Sequence, residues 1–96
     1  MLTKADILKH RDEIIAVARR NGASDVRIFG SVARGDTTET SDLDLIVRFE
    51  PGRSLMDHGM LIEELQELLG VKVDVVSEGA LRDRFRIRVL KDAVPL

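Results

Sequence analysis

The chain has 96 residues and no cysteine, tryptophan or tyrosine. Without cysteine there is no disulfide framework, no thiolate zinc site and no cysteine nucleophile. The aromatic content is three phenylalanines, so the core is almost wholly aliphatic. No apolar run approaches the roughly 18 residues that cross a bilayer. Neither sign of charge dominates: 15 basic residues stand against 17 acidic ones, for a net charge of −2. That balance gives no support to general coating of DNA, which is the work of basic chains, and leaves the handling of a single nucleotide open. Residues 1–20 are charged throughout and do not resemble a signal peptide. The expectation is a soluble, cytoplasmic, single-domain protein spanning 1–96, with no membrane association and no direct DNA binding.

What is present is an ordinary globular composition, 44% hydrophobic, which argues against intrinsic disorder. Residues 4–20 read as a helix. Thr3 and Asp6 have the spacing of a capping box, Ile7, Leu8, Ile14, Ile15 and Ala18 form an apolar stripe, and Asn21-Gly22 stops the helix. Residues 25–29 alternate as a short strand ended by Gly30-Ser31, and Ser31 to Gly35 reads as a helical turn or two. A polar loop follows over 36–41, then a β-branched strand over 43–49. Glu50 to Ser54 is a turn, Leu55 to Leu69 a helix closed by Gly70, and 71–76 a third strand. The segment 79–91, with Ser77 as its cap, fits a helix through Leu81, Phe85 and Val89, although 85–89 also alternates like a strand; its length and lack of glycine favour the helix. The order helix, strand, turn, strand, helix, strand, helix predicts a small α/β (α+β) sheet flanked by helices.

The informative segment runs from Gly30-Ser31 through ten residues to Asp42-Leu43-Asp44. Gly30 ends a strand where the chain turns tightly and another group approaches the backbone. Ser31 offers a hydroxyl and an amide at the start of a helical turn, a place suited to phosphate, and Arg34 stands one turn on, where it can add a charge-assisted hydrogen bond. Asp42 and Asp44 are two apart, so their side chains leave the same face of the strand while Leu43, Leu45 and Val47 turn toward the core. Two carboxylates this close repel unless a cation lies between them, and hard divalent cations such as Mg²⁺ take oxygen ligands and pair with phosphates. Asp74 lies opposite Val71, Val73 and Val75. If its strand neighbours that of Asp42, three acids converge in an arrangement suited to two-metal nucleotidyl transfer. In that arrangement Asp74 is a ligand on the acceptor side, and a candidate base for the acceptor.

These residues resemble the nucleotidyltransferase superfamily that includes DNA polymerase beta, and the short chain is similar to its minimal branch. The signature there is Gly-Ser-x10-Asp-x-Asp, matched by Gly30, Ser31, Asp42 and Asp44, and the third family acid matches Asp74 in Val-Asp-Val-Val. The closing Arg-Val-Leu-Lys-Asp-Ala-Val-Pro-Leu is similar to the end of many minimal members. The resemblance implies the polymerase beta-like fold, ATP or another nucleoside triphosphate as substrate, Mg²⁺ as cofactor, and transfer of a nucleoside monophosphate to a hydroxyl with release of pyrophosphate. It also implies a HEPN-family toxin as partner, with this chain as the antitoxin that attaches AMP to a toxin tyrosine. Having no tyrosine, the chain is not itself that acceptor.

Two other functions compete. One is an antitoxin that masks its toxin by binding alone. The other is transfer to a small-molecule hydroxyl with a partner chain completing the site. Asp36 and Ser41 read as loop-shaping residues, and His10 and His58 as surface histidines. Arg82, Arg84, Arg86, Arg88 and Lys91 form a basic cluster; on a helix Arg84, Arg88 and Lys91 share a face, read as solvated, with docking of an acidic partner or RNA as the alternative. Met56, Met60 and their neighbours put apolar residues on more than one side of the helix 55–69, the pattern of a protein interface.

Overall fold

The fold is built around the strand Leu43–Phe49 (β2), whose residues Leu43, Leu45, Ile46 and Val47 are all fully buried. A strand buried on both faces needs cover on both, and the chain supplies it. A computed structural model describes residues 2–37 and 42–96; Ser41, and with it part of the expected polar loop, lies outside the described residues. β2 pairs antiparallel with Ala23–Phe29 (β1) and parallel with Val73–Ser77 (β3). A two-residue strand, Val94–Pro95 (β4), pairs antiparallel with the outer edge of β1, giving the order β3-β2-β1-β4. This is the mixed sheet expected, with one strand more than the sequence announced. Pro95 is tolerated there because β4 lies at the edge of the sheet.

On one face, the helices Lys4–Lys9 (α1), Arg11–Arg20 (α2) and Leu55–Leu69 (α4) place Ile7, Ile14, Ala18, Leu61 and Leu65 against Leu43, Leu45, Val47, Val73 and Val75. α4 provides the crossover that a parallel β2–β3 pair requires. The short helix Gly30–Arg34 (α3) adds Val32 and Ala33 to the same core. On the other face lies the helix Asp83–Asp92 (α5), which packs against α3 and β1 and covers Ile46.

The expected helix over 4–20 is two helices. The capping box forms as read, with the Thr3 amide donating to Asp6 at 2.9 Å. The helix is interrupted at His10, whose amide donates to the carbonyls of Ile7 and Leu8. The bend brings Ile7 and Ile14 to the core and leaves Leu8 exposed. The first strand begins at Ala23, not 25, and carries one extra residue between Ser24 and Arg27, where Asp25 adopts φ +50°. This bulge shifts the register, so that Arg27 and Phe29 share a face with Ile46 and Asp44. The third strand is displaced by one to two residues from the expected 71–76.

The last helix is also corrected. Glu78–Ala80 forms a single 3₁₀ turn closed by the Leu81 amide on the Glu78 carbonyl, and α5 starts only at Asp83. Ser77 caps nothing with its side chain. The buried Glu78 carboxylate, facing Arg27 and Arg48 of the sheet, holds this turn against it.

Candidate active site

Three elements meet at the end of the sheet where β1 finishes and β2 begins. β1 delivers Phe29 and leads into Gly30 at the start of α3, β2 delivers Asp44, and β3 delivers Asp74. Asp44 and Asp74 are direct partners in the parallel ladder, and Phe29 is the partner of Asp44 on the other side. Adjacent strands stand roughly 4.8 Å apart, so the two carboxylates share one patch of one face. Asp42 comes immediately before β2, half-buried.

Gly30 is a glycine of necessity. Its φ is +72°, in the left-handed region, and a Cβ built on it falls 2.5 Å from Asp44 Oδ2. The bare backbone therefore lets the carboxylate of β2 lie against the turn that opens α3. Ser31 is the next residue, half-buried, and Gly35 closes α3 with φ +78°.

The electrostatics follow from this crowding. Burial, then the charges of Asp74 and Asp42, push the Asp44 carboxyl above its ordinary value of 3.8, and Arg34 opposes them. Arg34 is itself half-exposed and donates from Nε to Asp36 at 3.2 Å. Its charge reaches the acids, while its side chain is shared with Asp36 on the rim.

Between these acids and α5 lies a cleft of about 260 Å³. Asp44 and Asp74 form its polar end. Phe29, Ile46 and Val76 form its floor, and Leu81, Phe85 and Val89 its far wall. These three wall residues carry no assignment from the sequence beyond the helix signal; a spacing of four brings Phe85 and Val89 to one side of α5, while Leu81 comes from the extended segment before it. A slightly larger cleft, about 310 Å³, opens between α2 and β1; it shares no residue with this one and contains none of the three acids.

The donor set fits a hard divalent cation. It is all carboxylate oxygen, and Asp44 is held toward its neutral form by burial and then by like charges, of which a bound cation offsets the second. Among the described residues no three acidic or histidine side chains form a ready-made cage for a metal ion. Mg²⁺ ordinarily takes one or two carboxylates and completes its shell with water and substrate phosphates.

His58 departs from the sequence reading. It is half-buried, donates from Nε2 to the Val75 carbonyl at 2.6 Å and stands 5.3 Å from the Phe49 ring. It ties α4 to β3 and takes no part in the site. His10 is near the surface, as expected, beside Glu13.

Residues 11–96 match the family model of the nucleotidyltransferase domain. The chain belongs to that family. It is 40% identical over 82 residues to a provisionally named protein adenylyltransferase of Methanocaldococcus jannaschii, covering 85% of this chain and 88% of the relative. It is 36% identical over 85 residues to the protein adenylyltransferase MntA of Thermococcus cleftensis, covering 88% and 83%. A solved structure provisionally described as a minimal nucleotidyltransferase superposes with a TM-score of 0.89 at 48% identity, covering 99% of this chain and 97% of that one. A toxin–antitoxin structure with AMP-PNP shares the fold at a TM-score of 0.75 and 22% identity, covering 88% and 69%. The polymerase beta-like fold and the minimal-branch resemblance are thus borne out, and this nucleotidyltransferase is an adenylyl-transferring enzyme. No helix among the described residues is long and apolar enough to cross a membrane.

Proposed function

We propose that this nucleotidyltransferase transfers AMP from ATP to a tyrosine hydroxyl of a HEPN-type toxin and so acts, in the cytoplasm, as that toxin's antitoxin. The observation that carries the reading is the register of Asp44 with Asp74 beside a glycine whose missing Cβ makes room for the Asp44 carboxylate. Support comes from relatives named as protein adenylyltransferases and from a structural neighbour that is a toxin–antitoxin complex with AMP-PNP.

In this reading the turn at Gly30 and Ser31 receives the phosphates and Arg34 adds a charged donor to them. Asp42 and Asp44 hold Mg²⁺, with Asp74 completing the acceptor side. When bound, Mg²⁺ neutralises the phosphate oxygens and lowers the charge barrier to attack. The acceptor oxygen attacks the α-phosphorus, forming a new P–O bond as the bond to the β-phosphate oxygen breaks. Pyrophosphate leaves, and the acceptor proton passes to a carboxylate oxygen of Asp74.

The test is intact-mass measurement of the protein encoded by the adjacent reading frame after incubation with this chain, ATP and Mg²⁺. A gain of one or more AMP units, absent with Asp42→Asn/Asp44→Asn, is expected; a stable complex that binds ATP and gains no mass refutes the reading.

One observation favours a second reading, in which binding alone masks the toxin. The start of α4 presents Leu55 at 86% and Met56 at 77% exposure, with Met60 beside them. If the Asp42→Asn/Asp44→Asn chain protects fully at equal expression, masking is the function.

A further inference from the structure

The basic cluster over 82–91 is a sequence feature that the reaction above leaves unused, and the structure divides its members. Arg86 donates from Nη2 to Glu78 Oε1 at 2.9 Å. Glu78 is only 4% exposed, and its other oxygen stands 3.5 Å from Arg48 and 3.7 Å from Arg27. Arg86 is therefore fastened to a carboxylate that is itself fastened to β1 and β2, and this fixes the rotation of α5 about its axis. With 3.6 residues per turn, the stripe 85, 88, 89 and 92 is one face of the helix. That face is turned to the site. Phe85 and Val89 wall the cleft over Asp44 and Asp74. Arg88, Val89 and Asp92 line the adjoining cleft of about 270 Å³, whose other wall is Phe29, Gly30 and Arg34.

We propose that Arg88 is a second phosphate-binding residue of this enzyme, reaching the triphosphate tail from α5 opposite Arg34; the inference rests on the site reading given above. Two guanidinium groups on different elements flank the turn at Gly30, and among the described residues Asp92 is the one acidic residue lining the same cleft. Among the described residues Arg88 has no carboxylate within 4 Å, whereas Arg86 is spent on Glu78 and Arg34 is shared with Asp36. A guanidinium offers a planar fork of donors that matches two phosphate oxygens at once. Pyrophosphate carries most of the charge that develops as the α–β bond breaks, so a cation held over the tail serves both binding and departure.

The experiment is equilibrium binding of ATP, inorganic triphosphate and AMP to the full chain with Mg²⁺, by calorimetry, for the unaltered chain, Arg88→Ala, Arg88→Lys and Arg84→Ala. Arg88→Ala weakens ATP and triphosphate by roughly ten- to a hundredfold, the range of a hydrogen bond to a charged group, and leaves AMP within about twofold. Arg88→Lys recovers part of the loss, because it restores the charge without the fork. Arg84→Ala, outside the Gly30 cleft, binds all three as before. The inference is overturned if Arg88→Ala binds ATP like the unaltered chain or if it loses ATP and AMP equally. Failure of the unaltered chain to bind ATP sinks the site reading as well; normal binding there with an indifferent Arg88 variant sinks this inference alone.

Discussion

Asp44, Ile46 and Arg48 point to one face of β2, and the two ends of that face handle carboxylates differently. At the Asp44 end, Asp42, Asp44 and Asp74 gather beside Gly30, and Arg34 opposes their charge on Asp44. At the Arg48 end, Glu78 is enclosed by Arg27, Arg48 and Arg86. Burial raises the pKa of both carboxyls. For Asp44 the neighbouring acids add to the rise. For Glu78 the hydrogen bond from Arg86 and the charges of Arg48, Arg86 and Arg27 outweigh burial and bring it below its ordinary 4.5. Between the two ends lies Ile46, buried under α5. The difference separates a carboxylate neutralised by arginines that tie the fold together from carboxylates that burial and like charges hold toward the neutral form.

The largest effect expected is on activity. Asp42→Asn/Asp44→Asn should lower adenylyl transfer at least roughly a hundredfold, since charge stabilisation by a bound metal ion is worth several kcal/mol. The variant should still fold, and a circular dichroism melt alongside the activity assay checks both halves of that expectation.

Next comes the caged end. Glu78→Ala should cost about 2–3 kcal/mol in urea unfolding, less than the loss of a wholly buried pair because Arg48 and Arg86 remain half in water. It leaves three arginines facing one another and frees α5. A loss confined to a few tenths would show that α5 is held by its apolar contacts alone and would break the comparison.

Gly30→Ala tests the join between α3 and β2. A left-handed residue with a Cβ costs roughly 1–2 kcal/mol, and here the methyl also meets the Asp44 carboxylate. Activity should fall further than stability, because Asp44 must move. Paired melts and transfer assays separate the two effects.

The smallest effect is in the pH dependence of stability, and the two ends have opposite signs. The Glu78 pKa is lowered by folding, so its contribution is present above 4.5 and is lost as pH falls through its folded value. The Asp44 pKa is raised, so its contribution is present below 3.8 and is lost as pH rises through its folded value. Glu78→Gln should therefore flatten the acid limb of the stability curve, and Asp44→Asn should raise stability toward neutral pH in chelator. Denaturation midpoints from pH 3 to 7, taken for each variant, read out the two slopes.

Much of the site was legible because it is local. Gly30, Ser31, Asp42 and Asp44 lie within one short stretch, and the alternation of 71–76 placed Asp74 on a strand. That Asp44 and Asp74 are neighbours depended on β2 and β3 pairing in parallel, which the α4 crossover permits and no spacing reveals. What stayed hidden was tertiary. The bulge at Asp25 shifts the face of Arg27 by one residue, and nothing in Ser-Asp-Val-Arg announces it. Glu78 gives no signal in the sequence, because the three arginines that converge on it come from three elements. Val94–Pro95 is a strand only because the edge of β1 is available to it. His58 reads as a surface residue because its acceptor, the Val75 carbonyl, belongs to a different element.

The most direct measurement is the thermal midpoint of the unaltered chain and of Asp44→Asn, each in chelator and in Mg²⁺ with ATP. The account predicts that the unaltered chain melts below Asp44→Asn in chelator and rises by several degrees with Mg²⁺ and ATP, as a ligand binding only the folded state must cause, while Asp44→Asn scarcely responds. An unaltered chain that is indifferent to Mg²⁺ and ATP, or an Asp44→Asn chain that melts lower in chelator, would contradict the claim that these acids are gathered to hold a cation and a nucleotide.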